Sequence, residues 1–87
     1  MKFLVIWSFI RTIKITPDLI DIIFALKDYA KKLKEQGKLE ANYHIVGKHG
    51  GAWIFNVLSN EELENLIAGM PVYNLAEYDI YPLTEMK

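Results

Sequence analysis

The chain has 87 residues, which is room for one domain built around one hydrophobic core. It has no cysteine and two histidines, which excludes disulfides and leaves the usual zinc ligand sets incomplete within one chain. The formal net charge is −1, and without an excess of basic residues we expect no nucleic-acid partner.

The first predicted elements are a strand at residues 2–10 and a helix at 17–36. The strand segment is an almost continuous apolar run without helical spacing, as in a central strand covered on both faces. Thr16 supplies a helix cap, Pro17 suits the first helical position, and Gly37 predicts a left-handed stop. The apolar residues of the helix recur at steps of three and four and form one stripe: Leu19, Ile22, Ile23, Leu26, Ala30 and Leu33.

Two further strands are predicted at residues 38–48 and 51–58, paired as a hairpin. Apolar and mainly polar residues alternate along the first of these two strands, which predicts a half-buried strand. Strict alternation gives these two faces: Leu39, Ala41, Tyr43 and Ile45 on one, and Glu40, Asn42, His44 and Val46 on the other. The segment His49-Gly50-Gly51 is predicted to be a tight connection whose glycines adopt positive φ.

A short helix at residues 60–69 and a strand at 72–83 complete the pattern. Ser59 and Glu62 have the spacing of a capping box at the start of the helix. The element order β, α, β, β, α, β predicts one α+β domain over residues 1–87 with the ferredoxin-like βαββαβ topology. Such a domain has a four-stranded antiparallel sheet with two helices on one face.

The composition also predicts self-association. The apolar fraction is 52%, above the roughly 45–50% of an average soluble domain, and a chain of this size has a thin stability margin. Two helices cover one face of the sheet, yet the first and last strands carry apolar residues at both odd and even positions. Some of these apolar side chains therefore point to the uncovered face. Ile20 and Phe24 form a second apolar pair on the first helix. We therefore expect a homo-oligomer, either a dimer or a larger ring.

The sequence gives no sign of a membrane partner. The apolar run from Phe3 to Trp7 is far shorter than the roughly 20 residues that span a bilayer. A small-residue cleavage site does not follow it. We therefore expect a cytoplasmic protein.

Glu40 and His44 are the candidate catalytic residues. Together with Asn42 they form a polar row at every second position of the predicted strand, and an acid and an imidazole can line a cleft as proton donor and acceptor. The alternative is an ordinary solvent-exposed strand face. The sequence has no phosphate-binding loop, metal-binding motif or Cys–His pair, so we predict neither a cofactor nor a metal.

The candidate ligand-binding residues are mainly aromatic, because such side chains combine a large apolar area with a polar tip. They are Trp7, Tyr43, His49, Trp53 and Tyr78. The alternative for the aromatic residues is a place in the core or in an interface between subunits.

From the end of the first helix onward, the chain carries a series of short segments with a characteristic order and spacing. They are Lys34-Glu35-Gln36-Gly37, Ile45-Val46-Gly47, Phe55-Asn56-Val57 with Ser59 and Leu63, Met70-Pro71-Val72, and Asp79-Ile80-Tyr81-Pro82-Leu83. In these segments, over about half of its length, the chain resembles the muconolactone isomerase family and the wider dimeric α/β-barrel group. The opening residues Met1 to Val5 are similar as well. These are segments with glycines, a capping serine and a turn proline, which mark a fold.

The resemblance implies a dimeric α/β-barrel and an enzyme that moves a proton within a small unsaturated lactone, in a cleft completed by neighbouring subunits. In the alignment anchored on Gly37, the proposed helix-one carboxylate of the family falls on Leu26, which cannot transfer a proton. Two hypotheses remain. One is a small-molecule isomerase or cofactor-free lyase acting on an unsaturated or aromatic-derived acid or lactone. The other is a non-catalytic oligomeric module that binds a small apolar ligand or serves in assembly.

Overall fold

The computed structural model describes residues 1–86, with the predicted elements in the predicted order. Their bounds are β1 (Lys2–Phe9), α1 (Pro17–Glu35), β2 (Leu39–His44), β3 (Gly50–Asn56), α2 (Asn60–Ala68) and β4 (Ala76–Leu83). The strand order is β2-β3-β1-β4, and each neighbouring pair is antiparallel. This is the ferredoxin-like order that the sequence predicts.

One face of the sheet holds the core. Every second residue of the central strands is buried, and the same cluster includes buried side chains of both helices, which places both helices on this face. The strand residues of the cluster are Phe3, Val5 and Trp7 of β1 and Trp53 and Phe55 of β3. The helix residues are Leu26, Ala30 and Leu33 of α1 and Leu63 and Ile67 of α2. Burying each large apolar side chain stabilises the fold by roughly 1.5–3 kcal/mol.

Both helices begin and end as their sequences predict. The Thr16 hydroxyl accepts the Leu19 N–H at 3.2 Å, and the Ser59 hydroxyl accepts the Glu62 N–H at 3.1 Å. The Glu62 carboxylate reaches back to accept the Leu58 N–H at 3.1 Å. Gly37 follows α1 with a φ of 73°, in the left-handed region that suits glycine.

The connection between β2 and β3 differs from the prediction. The turn centres on Gly47, which has a φ of 85°, and the Ile45 N–H donates to the Gly50 carbonyl at 3.2 Å. Gly50 and Gly51 belong to β3 and do not have positive φ. Their missing side chains matter for packing, because a Cβ on Gly50 would lie 2.1 Å from the Trp7 carbonyl oxygen.

A β-bulge at Glu40 changes the faces of β2. Leu39 pairs with Phe55, but Ala41 pairs with Ile54, so Glu40 and Ala41 together oppose a single residue of β3. The prediction of one polar row through Glu40, Asn42 and His44 is therefore wrong. Asn42 and His44 follow the bulge and share the helix-covered face with Leu39, while Glu40 points to the opposite face.

The last strand begins later than predicted. Residues Tyr73–Leu75 form one turn of 3-10 helix, in which the Leu75 N–H donates to the Val72 carbonyl at 2.9 Å. Pairing with β1 therefore begins at Ala76. The sheet face away from the helices carries half-buried apolar side chains at the centre: Leu4, Ile6, Ala52 and Ile54.

Candidate functional site

A cavity of about 250 Å³ lies between α1 and the sheet, where β1 ends and β3 begins. The wall on α1 is formed by Ile23, Leu26 and Lys27. The first two belong to the apolar stripe of the helix, and Lys27 lies at the edge of that stripe. The strands contribute residues from the helix-covered face, and the hairpin turn contributes His49. The cavity is therefore an extension of the core that opens to solvent at one end of the sheet.

Five of the seven predicted site residues line this cavity. They are Trp7, Tyr43, His44, His49 and Trp53. The two tryptophans are buried, while Tyr43 and both histidines are exposed at the rim. The bulge in β2 is what turns His44 toward this side of the sheet, opposite Gly51. The fold thus brings two imidazoles and two indoles to one opening, while Tyr43 pairs with Ala52 of the open face and borders the cavity with its backbone carbonyl beside Gly51.

Glu40 lies outside the cavity. Its carboxylate oxygen Oε1 is 3.0 Å from Lys2 Nζ, and both side chains are about half exposed on the open face of the sheet. The hydrogen bond to Glu40, with its negative charge, raises the pKa of Lys2 above its ordinary value. An exposed pair of this kind adds little to stability. Glu40 is thus separated from His44 by the thickness of the sheet.

Tyr78 also lies away from this cavity and lines a second one, of about 470 Å³, between α2 and β4. Its hydroxyl is buried and has no hydrogen-bond partner within residues 1–86. Burial, followed by the neighbouring Tyr73, raises the pKa of Tyr78 to about 12. The ring of Tyr73 lies against it, with 5.9 Å between the two centroids. Tyr78 is therefore a neutral phenol in the packing between α2 and the sheet.

The ionisable side chains of the first cavity belong to basic residue types. They are Lys27 and the two histidines, and no Asp or Glu is found among the described residues that line the cavity. The Lys27 ammonium sits 5.7 Å from the centroid of the Phe24 ring, which holds it beside the opening. Lys27 was not singled out by the sequence analysis. Its position directly after Leu26, at the edge of the apolar stripe, is the signal that could have placed it at the cavity.

The cavity floor is formed by Gly51 and two indoles. A Cβ built on Gly51 would lie 2.8 Å from the Tyr43 carbonyl oxygen, 2.9 Å from Trp7 Nε1 and 3.2 Å from Trp53 Nε1, so a side chain has no room at this position. Trp7 Nε1 is buried and has no hydrogen-bond partner in the part of the chain that the structure describes. Trp7 is held in place by an edge-to-face contact with Phe9, at 5.3 Å between centroids. The sequence interpretation missed Gly51 because it was assigned to the turn.

Metal ligands do not gather anywhere in residues 1–86: no three His, Cys, Asp or Glu side chains are close enough to hold one ion. Over the same residues, neither helix has the length and apolar character needed to cross a bilayer. The polar side-chain groups of the residues that line the cavity include imidazole, ammonium, indole and amide groups.

The sequence profile of the muconolactone delta-isomerase family matches residues 1–87. A muconolactone delta-isomerase from Cupriavidus pinatubonensis is 34% identical over 65 residues, which are 75% of this chain and 71% of the relative. Another from Acinetobacter baylyi is 35% identical over 57 residues, 66% of this chain. That alignment spans 59% of the Acinetobacter protein, less than two thirds of its length.

Two solved structures share the fold. The crystal structure of a muconolactone isomerase superposes with a TM-score of 0.88 at 20% identity, covering 99% of this chain and 91% of that one. A 5-chloro-2-hydroxyhydroquinone dehydrochlorinase from Burkholderia phenoliruptrix, in complex with 2,5-dihydroxybenzoquinone, gives a TM-score of 0.80 at 17% identity. That alignment covers 99% of this chain and 96% of the dehydrochlorinase.

Proposed function

Because the chain belongs to the muconolactone delta-isomerase family, we propose that it is an isomerase or cofactor-free lyase acting on a small unsaturated acid or lactone derived from an aromatic compound. One observation carries the proposal: a cavity of substrate size between α1 and the sheet has two histidines and a lysine, but no carboxylate, among its described lining residues. Basic groups at the mouth suit an anionic ligand, and the apolar floor suits an unsaturated ring.

The reaction class requires a group that moves protons. Shifting a double bond removes a proton from one carbon and returns it to another, with negative charge on a carbonyl oxygen in between. Imidazole can accept and donate a proton at physiological pH. His44 is fixed by β2 on the side of the sheet that faces the cavity, so we assign the proton transfer to His44, with His49 as the second imidazole at the rim.

Leu26 gives this site a different character from the one that the family resemblance implies. The family's helix-one carboxylate falls on Leu26, which lies in the cavity wall and is 6% exposed. A leucine there makes the wall apolar and leaves proton transfer to the sheet and the hairpin. The lyase reaction would need a chlorinated substrate. There the same base would remove a proton from one carbon while chloride leaves from the adjacent carbon, and a double bond forms between the two carbons.

We also propose that the working unit is a homo-oligomer. The sheet face opposite the helices has half-buried apolar residues along β1 and β3, among them Leu4 and Ile54, which pair across the strands. Tyr81 of β4 pairs with Leu4 on the same face and is 50% exposed. A continuous apolar sheet face on a small domain is typical of an interface. A second subunit packed there would leave the cavity on α1 accessible.

The direct test is to incubate the purified protein with muconolactone in deuterated water and follow the reaction by proton NMR. Turnover should consume the substrate signals, produce the isomer and introduce deuterium at the carbon that is reprotonated. A parallel sample with a chlorinated lactone should release chloride if the lyase reaction operates. Binding of muconolactone without isomer, deuterium exchange or chloride would contradict the proposal and favour a binding module.

A further inference from the structure

Asn42 places a polar amide at a strand position where an apolar side chain is expected. It follows the bulge in β2, pairs with Trp53 and lies on the helix-covered face, where Leu39 of the same strand is 3% exposed. Asparagine is depleted in strands, and a polar residue on the covered face of a sheet breaks the pattern that builds a core. Such local departures are expected at functional positions.

The amide lies at an intermediate depth in the α1 cavity. Asn42 is half-buried, whereas Lys27 and His44 are exposed at the rim. The Lys27 ammonium is 5.7 Å from the centroid of the Phe24 ring, and Phe24 is itself 60% exposed, so this charge lies on the solvent side. The two indoles are buried in the core. Among the described lining residues, Asn42 is therefore the side-chain N–H donor between the rim and the buried floor.

This donor is free to bind a ligand. An asparagine amide has two N–H donors, and the side-chain hydrogen bonds within residues 1–86 do not include Asn42. Ile23 and Leu26 form the apolar wall on α1. A hydrogen bond to a developing negative charge is worth more in such apolar surroundings than in water. The amide is thus suited to an oxygen that gains charge during a reaction.

The spacing between Asn42 and His44 fits the proposed proton shift. The two residues are two positions apart on the same face of β2, which is about 7 Å along a strand. In the reaction, the imidazole contacts a carbon that loses its proton, and the negative charge moves to the carbonyl oxygen of the same conjugated ring. With a contact of about 3 Å at each end, a small lactone ring spans this distance.

We propose that the Asn42 amide is a second catalytic group, which donates a hydrogen bond to the substrate carbonyl oxygen as that oxygen becomes an enolate. The inference rests on the proposed function, because it takes His44 as the proton carrier. His44 removes a proton from one ring carbon, and the electron pair of that C–H bond shifts through the ring to the oxygen at Asn42. Return of the proton to another carbon moves the double bond and restores the carbonyl.

Asn42→Leu tests the donor with a side chain of similar size. It removes both N–H groups, so kcat for muconolactone should fall by about 10²–10³-fold, the usual cost of losing one oxyanion donor. KM should change less than about threefold, since the bond strengthens only as charge develops. Asn74→Leu is the matched control, because Asn74 is exposed and lines neither cavity. An unchanged kcat in Asn42→Leu would overturn the proposal.

Asn42→Asp separates hydrogen-bond donation from packing. At neutral pH its carboxylate repels the enolate, so kcat should fall at least as far as in Asn42→Leu. A protonated carboxyl can donate an O–H. The ratio of kcat to that of the unsubstituted protein should therefore rise at least about tenfold between about pH 7 and pH 4. A ratio that is independent of pH would show that residue 42 only packs. Thermal unfolding checks both variants, and this one decides the question if Asn42→Leu does not fold.

Ligand binding keeps the outcome separate from that of the proposed function. Tetronic acid is a five-membered lactone whose enol is ionised at neutral pH, and unsubstituted butenolide is the neutral ring of the same size. Asn42→Leu should weaken binding of tetronic acid at least about tenfold and binding of butenolide less than about twofold. This selective loss without turnover of muconolactone would support the oxyanion donor and reject the isomerase. Turnover with an unchanged kcat in Asn42→Leu would do the reverse, and equal losses for both lactones would overturn the donor.

Discussion

Glu40 and His44 lie on opposite faces of the sheet, although both belong to β2 and their positions differ by four, an even number. The bulge at Glu40 inserts one extra residue into the pairing with β3, so the side-chain alternation shifts by one position. Glu40 pairs with Lys2 on the open face, and His44 lines the cavity on the helix-covered face. The two residues therefore cannot act on one ligand within a single subunit.

This separation predicts opposite results for two similar substitutions. His44→Gln should lower turnover of muconolactone by about 10²–10⁴-fold, the usual contribution of a general acid or base. Glu40→Gln removes a charge of the same strand at a comparable exposed position and should change turnover by less than about twofold. Steady-state rates of both variants give the comparison. A large loss in Glu40→Gln with little loss in His44→Gln would reverse the assignment.

Leu26 supports stability as well as the cavity wall. It is 6% exposed and belongs to the main core cluster. Leu26→Ala should therefore lower the free energy of unfolding by roughly 2–5 kcal/mol, as expected for a buried cavity. Leu58→Ala removes the same atoms at a site that is 88% exposed and should change it by less than about 0.5 kcal/mol. Urea denaturation of the two variants measures the difference, and similar values would show that α1 does not pack through Leu26.

Tyr78 predicts a loss of stability in alkaline solution. Burial raises its pKa to about 12 in the folded protein, whereas an unfolded tyrosine titrates near 10. Between these values the unfolded state binds fewer protons than the folded state, so the free energy of unfolding falls as pH rises. Tyr78→Phe should make this fall shallower between about pH 10 and 12. Urea denaturation at several pH values measures the free energy of unfolding of both proteins. An unchanged pH dependence in Tyr78→Phe would show that another group causes the loss of stability.

Much of the fold follows from local signals in the sequence. The caps at Thr16 and Ser59 form the hydrogen bonds that those residue types predict, and the stripe containing Leu26 and Leu33 is buried. These signals depend on neighbours within a few residues. The start of β4 was missed because the turn at Tyr73–Leu75 is stabilised by backbone bonds that side-chain pattern does not encode.

The candidate site was harder to predict because it depends on register between strands. Alternation alone put Glu40 and His44 together, and a single extra residue in the β2–β3 pairing separates them. The tight packing around Gly51 depends on two tryptophans of different strands that meet only in the folded sheet. The list of aromatic candidates was nevertheless a useful prediction of residue type, since three of the four line the cavity.

The remaining prediction concerns self-association. Ile20 and Phe24 are 46% and 60% exposed on α1, so both are available for a contact between subunits. We expect sedimentation at micromolar concentration to give a species larger than 10.1 kDa, and the melting temperature to rise with protein concentration because association involves folded chains only. A larger ring needs a second contact besides the open sheet face, so Phe24→Asp should reduce a ring to the sheet-paired dimer while the subunit remains folded. Leu58→Asp places the same charge at another exposed apolar position and is the matched control. A stable 10.1 kDa species whose melting temperature does not depend on concentration would rule out the oligomer.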